Sequence, residues 1–427
     1  MPYAYRVSTV DGATGGIISG DVAIQSDLDL DGDLRITGKA TLGPYNTNTG
    51  SLAFVAGSNN TASGLHSTVS GGCSNHASGE RSTVSGGNSN WATGDHSTIG
   101  GGLANLASDY YSTLAGGLGD TANHPYSTVG GGWHNKANGN YSTVAGGFDN
   151  GAKGYYSAVA GGDRNRAGGE HSYVGGGFAD SAAGPYSTIG GGYHNVATGD
   201  YSTVAGGYGN SVSGNYSFAG GYRATAAYRG TFIWADKSGE SFESTDPNQF
   251  LIRASGGVGI GTNDPSRQLT VRGNILIESA STGDPVVELG EGLDYAEGFD
   301  VSDHKQIAPG AVLVIDSNNP GKLRMSDRPY DSRVAGIVAG ANGMGSGVRL
   351  GADQFDWDVA LAGRVYCKVD ASYGAVSPGE LLTTSPNPGY AMLVKDYTRA
   401  QGAILGKAMQ SLSEGEKGEI LVLVTLQ

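Results

Sequence analysis

Side chains able to do acid–base, nucleophilic or metal chemistry are few in this sequence and poorly spaced for it. Seven of the eight histidines fall between His66 and His194, and only His304 lies beyond them. A Ser-His-Asp arrangement needs a histidine that takes the proton of the nucleophile, and His304, within Asp303-His304-Lys305-Gln306, reads as a polar loop residue. Glu297, Asp300 and Asp303 are close enough in sequence to share a face as an acid–base pair, and a Ser-Lys dyad stays open as well. In a chain of net charge −14, clustered acids are expected to be solvated. Cys73 and Cys367 have neither a disulfide framework nor a metal-ligand spacing. No catalytic residue, metal or cofactor is expected.

Two motifs imitate ligand sites. Asp27-x-Asp29-x-Asp31-Gly32 begins like a calcium loop, but its twelfth position is Gly38 rather than Glu and no helical pattern flanks it, so the segment reads as a solvated strand edge. Gly256-Gly257-Val258-Gly259-Ile260-Gly261-Thr262 looks like a phosphate cradle. Such a loop should open a helix, whereas Asn263-Asp264-Pro265 and the strand-like Gln268-Leu269-Thr270-Val271 follow.

Two spaced rows offer binding chemistry. Trp133, Phe148, Phe178, Tyr193 and Tyr208 are rings at multiples of fifteen residues, a spacing that suits stacking against sugar faces, or else stacking on one another or filling a groove between protomers. Thr68, Thr83, Thr98, Thr113, Thr128, Thr143, Thr188 and Thr203 form a threonine row of the kind an ice-binding face uses. Ala158 and Tyr173 interrupt it, and no second threonine row accompanies it.

What positions both rows is a strict repeat. From His66 to Tyr216, every fifteenth residue is His, Arg or Tyr, followed by Ser and then by Gly-Gly. With this residue as position 1, position 4 is branched and apolar (Val69, Val84, Ile99, Leu114, Val129), position 12 is nearly always Ala (Ala77, Ala92, Ala107), and position 10 is Asn or Asp (Asn75, Asn90, Asn105, Asp120, Asn135). Fifteen residues hold two short strands and two glycine-assisted turns and leave no room for a helix. The expected fold is all-β: a parallel β-roll or solenoid with a thin Val/Ala core and Asn-lined bends. Ten units at ~4.8 Å each predict a rod about 50 Å long.

The unit Tyr141-Ser142-Thr143-Val144-Ala145-Gly146-Gly147, with Asn150, Ala152 and Gly154, resembles the head repeat of trimeric bacterial adhesins of the YadA type. That resemblance implies a left-handed parallel β-roll and three chains packed into one head. The family usually carries Ile where this chain has the first Gly of each pair. Val258 to Pro265 resembles a link common in phage tail fibres, where strands exchange between chains. The pattern from Leu293-Asp294-Tyr295-Ala296-Glu297 through Val334-Ala335-Gly336-Ile337-Val338 resembles C-terminal domains of bacterial and phage fibre proteins, some related to self-cleaving domains.

Four segments are expected: attachment strands at 1–50, the rod at 51–230, a strand-exchanged connector at 231–292, and a C-terminal antiparallel β domain at 293–427. The 75 glycines and 38 % hydrophobic content leave little for a core, which favours a homotrimer. The acidic charge disfavours nucleic acid and anionic membrane surfaces. No apolar run approaches eighteen residues, and the N-terminus lacks a secretion-signal pattern, so neither membrane insertion nor general secretory export is expected. The chain thus reads as a non-enzymatic tail fibre of a phage or phage-like contractile injection particle. Its expected partners are a baseplate or other fibre protein at the N-terminus and a cell-surface glycan or protein receptor. The alternatives are a bacterial cell-surface adhesin or structural filament, and a glycan-cleaving tailspike or self-cleaving fibre domain.

Overall fold

A computed structural model describes residues 35–303, 307–351 and 353–425. The acidic motif from Asp27 to Gly32, most of the expected attachment segment at 1–50 and His304 lie outside the described residues. The chain divides into two compact units, one ending at Arg253 and one beginning at Ala254.

In the first unit each repeat is one coil of a parallel β-solenoid. Positions 3 and 4 form one strand and positions 11 and 12 another, and each pairs with its copy fifteen residues on, as Thr113 with Thr128 and Leu106 with Thr121. Stacking gives a 15-stranded sheet from Ala40–Leu42 to Phe250–Arg253 and a 14-stranded sheet from Thr47–Asn48 to Phe242–Glu243. Position 8 adds a third side made of single-residue parallel bridges, running from Ser58 through Trp133 and Asp163 to Tyr208. Fifteen residues therefore close three sides rather than two.

The coil extends on both sides of the 51–230 span. Ala40 pairs with Phe54 at a spacing of fourteen residues, and Phe232–Ala235 pairs with Phe250–Arg253 after an eighteen-residue excursion. An open strand edge at each end of the stack accepts any β-capable segment, whether or not it keeps the period.

Each coil from His66 to Asn215 encloses one branched side chain at position 4 and an alanine, or Val212 in the last, at position 12, all fully buried, as at Leu114, Ala122, Val129 and Ala137. The other half of the core is polar: Ser at position 2 and Asn or Asp at position 10 are equally buried. The Asn side chains make this possible. The Asn105 amide donates to the carbonyls of Gly101 and Gly117 at 3.0 Å each, and its own carbonyl oxygen accepts from the Asp120 N–H at 2.9 Å. The same arrangement ties Asn135, Asn150 and Asn165 to their neighbours. Every bend is thereby bonded to the coils before and after it, which satisfies backbone groups that water cannot reach.

Positive φ recurs at three positions of each full coil: glycine supplies it at position 7, while positions 1 and 9 mostly supply it with residues that carry side chains. Position 1 has φ near +57° at Tyr141, and position 9 the same at His134. The inversion turns the N–H backward: Tyr141 donates to Pro125 in the preceding coil at 3.0 Å, whereas Thr143 donates forward to Ser157. A tyrosine in this region is disfavoured on its own. Ring contacts along the stack offset that cost.

The second unit starts with Val258–Ile260 paired in parallel to Leu269–Val271. Within Gly256–Thr262 the strand is Val258–Ile260, and the next element is the strand Leu269–Val271, where a phosphate cradle would open a helix. The rest is one twelve-stranded, mainly antiparallel sheet. Its centre is the fourteen-residue strand Trp357–Asp370, paired with Lys417–Thr425, Asp294–Phe299 and Val334–Val338. Gly363 sits in that strand at φ +96°, where a side chain would strike the backbone of Leu293 and Asp294. Buried Val365, Cys367, Leu405, Ile420 and Val422 form one core, and Val301, Leu313, Val338 and Val359 another.

Candidate binding surfaces

Position 8 carries the ring row singled out from sequence, and the structure places it on the third side of the coil. Trp133 meets Phe148 edge to face at 5.0 Å, while Phe178, Tyr193 and Tyr208 stack face to face at 5.0 and 5.1 Å. Tyr222 continues the stack. The row is broken at Asp163, and there Arg164 holds its guanidinium 5.8 Å from the Phe148 ring and 5.5 Å from the Phe178 ring. A planar cation between two ring faces replaces the missing ring. In the stacked part each face is covered by its neighbour, so an incoming sugar meets ring edges.

Sequence reasoning used the repeat's lead position only as a register mark, yet it builds a longer row. His96, Tyr111, Tyr126, Tyr141, Tyr156, His171, Tyr186, Tyr201 and Tyr216 stack without a gap, at centroid spacings between 4.6 and 5.4 Å. Tyr110 and Tyr155 close on it edge-on at 4.4 and 4.3 Å. Hydrogen bonding to Tyr111 and Tyr156 holds these two phenols above their ordinary range. The signal was present in the residue types at position 1; what the spacing alone did not show is that left-handed corners project all the rings in one plane orientation.

The polar interior holds two irregularities. Asp120 and Asp180 stand where the other full coils have Asn, and their Oδ2 atoms occupy the place of the amide nitrogen beside Gly117 and Gly177. Each Oδ1 still accepts the next coil's N–H, from Asn135 and Asn195, but neither Oδ2 has a partner. Burial pushes both carboxyls above the ordinary range, against hydrogen bonds from Asn135 and Asn195 and the charges of His134 and His194.

In the second unit, Arg349 binds Asp358 through Nε at 2.8 Å and also reaches Glu288 and Asp353. Burial works to lower its basicity, but the three carboxylates outweigh that and raise it. This knot borders a cavity of about 290 Å³ with Ser346, Phe355 and Trp357. Asp294 is buried nearby and its carboxyl is pushed up by burial, opposed by the Ser346 hydroxyl and the Gly347 N–H. A larger groove of about 490 Å³ is lined by Tyr330, Tyr373, Pro386, Met392, Lys395 and Arg399. The Tyr330 hydroxyl accepts from the Lys395 and Asp396 N–H groups at 3.0 Å each, and Arg399 lies 4.6 Å over its ring.

Glu297 is half-buried on its strand, while Asp300 and Asp303 are exposed, and none of the three lines either cavity. Among the described residues no group of three or more His, Cys, Asp or Glu could hold a metal ion, and no helix is long and apolar enough to cross a membrane.

Comparison with known proteins agrees with this architecture at the level of the repeat. Comparison with curated proteins returns no match. The fold has a weak likeness to the pre-mature gene product 12 of bacteriophage phi29, with a TM-score of 0.37 and 9 % identity, covering 90 % of this chain and 71 % of that one. Residues 67–79 match the ubiquitous surface protein adhesin repeat. That thirteen-residue match covers most of one coil, and the structure stacks the same unit along the first half of the chain: this is a fibre- or adhesin-like structural protein built on an adhesin-type repeat.

Proposed function

We propose that this chain is the subunit of an attachment fibre on an extracellular particle, a phage tail or a phage-like contractile injection machine. Three copies assemble side by side, the N-terminal end joins a baseplate or another fibre protein, and the solenoid sets the reach. The second unit contacts a glycan or protein on the target cell through the Tyr330–Tyr373–Lys395 groove, where rings and cations are offered together. The ring edges from Trp133 to Tyr208 are a second contact surface. Three copies make weak single contacts sufficient. The observation that carries this reading is the adhesin repeat propagated coil after coil, a unit suited to spacing rather than to catalysis.

Labelled full-length protein should bind intact target bacteria and block particle attachment, and the pair Tyr373→Ala and Lys395→Ala should lose binding while staying folded. Binding unchanged by that pair would remove the groove from the account. Failure to bind or compete on cells the particle infects would remove attachment itself. A cell-surface adhesin is the second reading, favoured by the adhesin repeat at 67–79. Immunogold labelling on envelopes of particle-free cells would decide for it.

A further inference from the structure

Within the first unit, no described residue packs over the outer face of the 15-stranded sheet. In ten successive coils, from Ser67 to Gly207, positions 2 to 7 contain no Asp, Glu, Lys, Arg or His, although the chain carries 66 charged residues. Charges gather on the other sides, as at Glu80, Lys136, Asp149, Arg166 and Glu170. Small residues dominate the face: Thr at position 3 except Ala158 and the exposed Tyr173, Ser, Gly or Ala at position 5, Gly at position 6. At Gly71, Gly86, Gly116 and Gly161 an added side chain would meet nothing within 4 Å, and φ is not in the left-handed region, so neither packing nor backbone within the chain calls for glycine there.

Towards its C-terminal end the same face turns apolar. Phe218, Phe232 and Phe250 stack at 4.7 and 4.6 Å in line with the threonine row, and Phe250 is 68 % exposed. Trp234 and Ile252, in line with position 5, are exposed too. A continuous charge-free sheet ending in exposed aromatics marks a contact surface.

We infer that this face is the one through which copies of this chain pack, which rests on the assembly proposed above. Three observations select a second copy as the occupant. A chain of net charge −14 is repelled by its own copies everywhere except across a face without charge. A copy has the same coil rise, so the faces of neighbouring copies stay in step along the stack. Fifteen strands at ~4.8 Å and a width of about four residues at ~3.3 Å give roughly 900 Å², close to the ~800 Å² per partner that a stable interface buries. The position-6 glycines leave room for a neighbouring backbone to approach.

Light scattering on three proteins tests this. The native chain and Ser181→Lys, placed in the other sheet where Lys136 and Arg166 already stand, should have the mass of an assembly. The double variant Thr128→Lys, Thr143→Lys should fall to the mass of one chain. To guard against a variant that fails to fold, a cysteine added at Thr143→Cys is labelled with maleimide in the assembled protein, and the labelled sites are read separately by peptide mapping. It should react as slowly as buried Cys367, while exposed Cys73 and Lys136→Cys react fast. Assembly retained with lysines at 128 and 143, or Thr143→Cys reacting as fast as Cys73 in an assembled protein, overturns the choice of face and leaves the assembly reading standing. A native chain that is monomeric at every concentration overturns both.

Discussion

Replacing Asp120 and Asp180 by asparagine should stabilise the solenoid, and the gain should shrink as the pH falls. In the Asn coils the side-chain amide donates to two glycine carbonyls, as from Asn150 to Gly146 and Gly162 at 2.9 and 2.8 Å. At Asp120 and Asp180 an acceptor oxygen without a partner stands in that place. A buried polar atom left unsatisfied costs about 1–3 kcal/mol, so each substitution should add about that much at neutral pH. The two sites are four coils, or about 19 Å, apart, far enough for the gains to add.

The pH dependence follows from burial, which raises both carboxyl pKa values above those of the unfolded chain. The folded state then binds protons more readily than the unfolded one, so acidification through the folded pKa towards the unfolded one, about 3.9, stabilises the native chain. A protonated Asp can donate to a carbonyl as Asn does, and the Asn variants have no such proton to gain. Their advantage should therefore be largest near neutrality and smallest near pH 4, with charge on His134 and His194 reducing the effect. Chemical denaturation followed by circular dichroism, at intervals from pH 4 to 8, reads this difference. A loss of stability in the Asn variants, or a gain independent of pH, would refute the reasoning.

Other outcomes follow from the same geometry. Leu114→Ala, in a core one side chain wide, should cost about 2–5 kcal/mol in a denaturant titration, and Ala137→Leu should destabilise too, because the coil has no space to expand. Arg349→Ala leaves Glu288 and Asp358 largely buried without their cation and should cost the second unit about 3 kcal/mol, seen as a lowered melting temperature. With thiol reagents Cys73 should react in the native protein and Cys367 only on unfolding, since burial pushes the Cys367 thiol up and blocks access.

Much of the first unit was legible because its interactions are local in period. A branched residue and an alanine at fixed positions specify which side chains turn inward, and both are buried in every full coil. Asparagine at position 10 announced a bonded bend, and the ladder of amides lies there. The third side was not legible, because one bridging residue per coil leaves no strand pattern in the sequence. Spacing by one coil allowed Phe178, Tyr193 and Tyr208 to stack on one another, and they do, whereas the edge-to-face meeting of Trp133 and Phe148 is set by local geometry that spacing does not carry. In the second unit the apolar runs Ala311 to Ile315 and Ile420 to Val424 in the sequence lie in or next to the strands Val312–Ile315 and Lys417–Thr425. Strand pairing was not legible, since Asp294 reaches Gly363 and Glu297 reaches Val359 across more than sixty residues.

The repeat is the basis of the account, and cryo-electron microscopy of the purified full-length chain tests it most directly. A fibre-like protein with this repeat should show density layers about 4.8 Å apart, fifteen deep and about 70 Å long. A particle without that layering, or with the repeats folded as separate antiparallel hairpins, would contradict it.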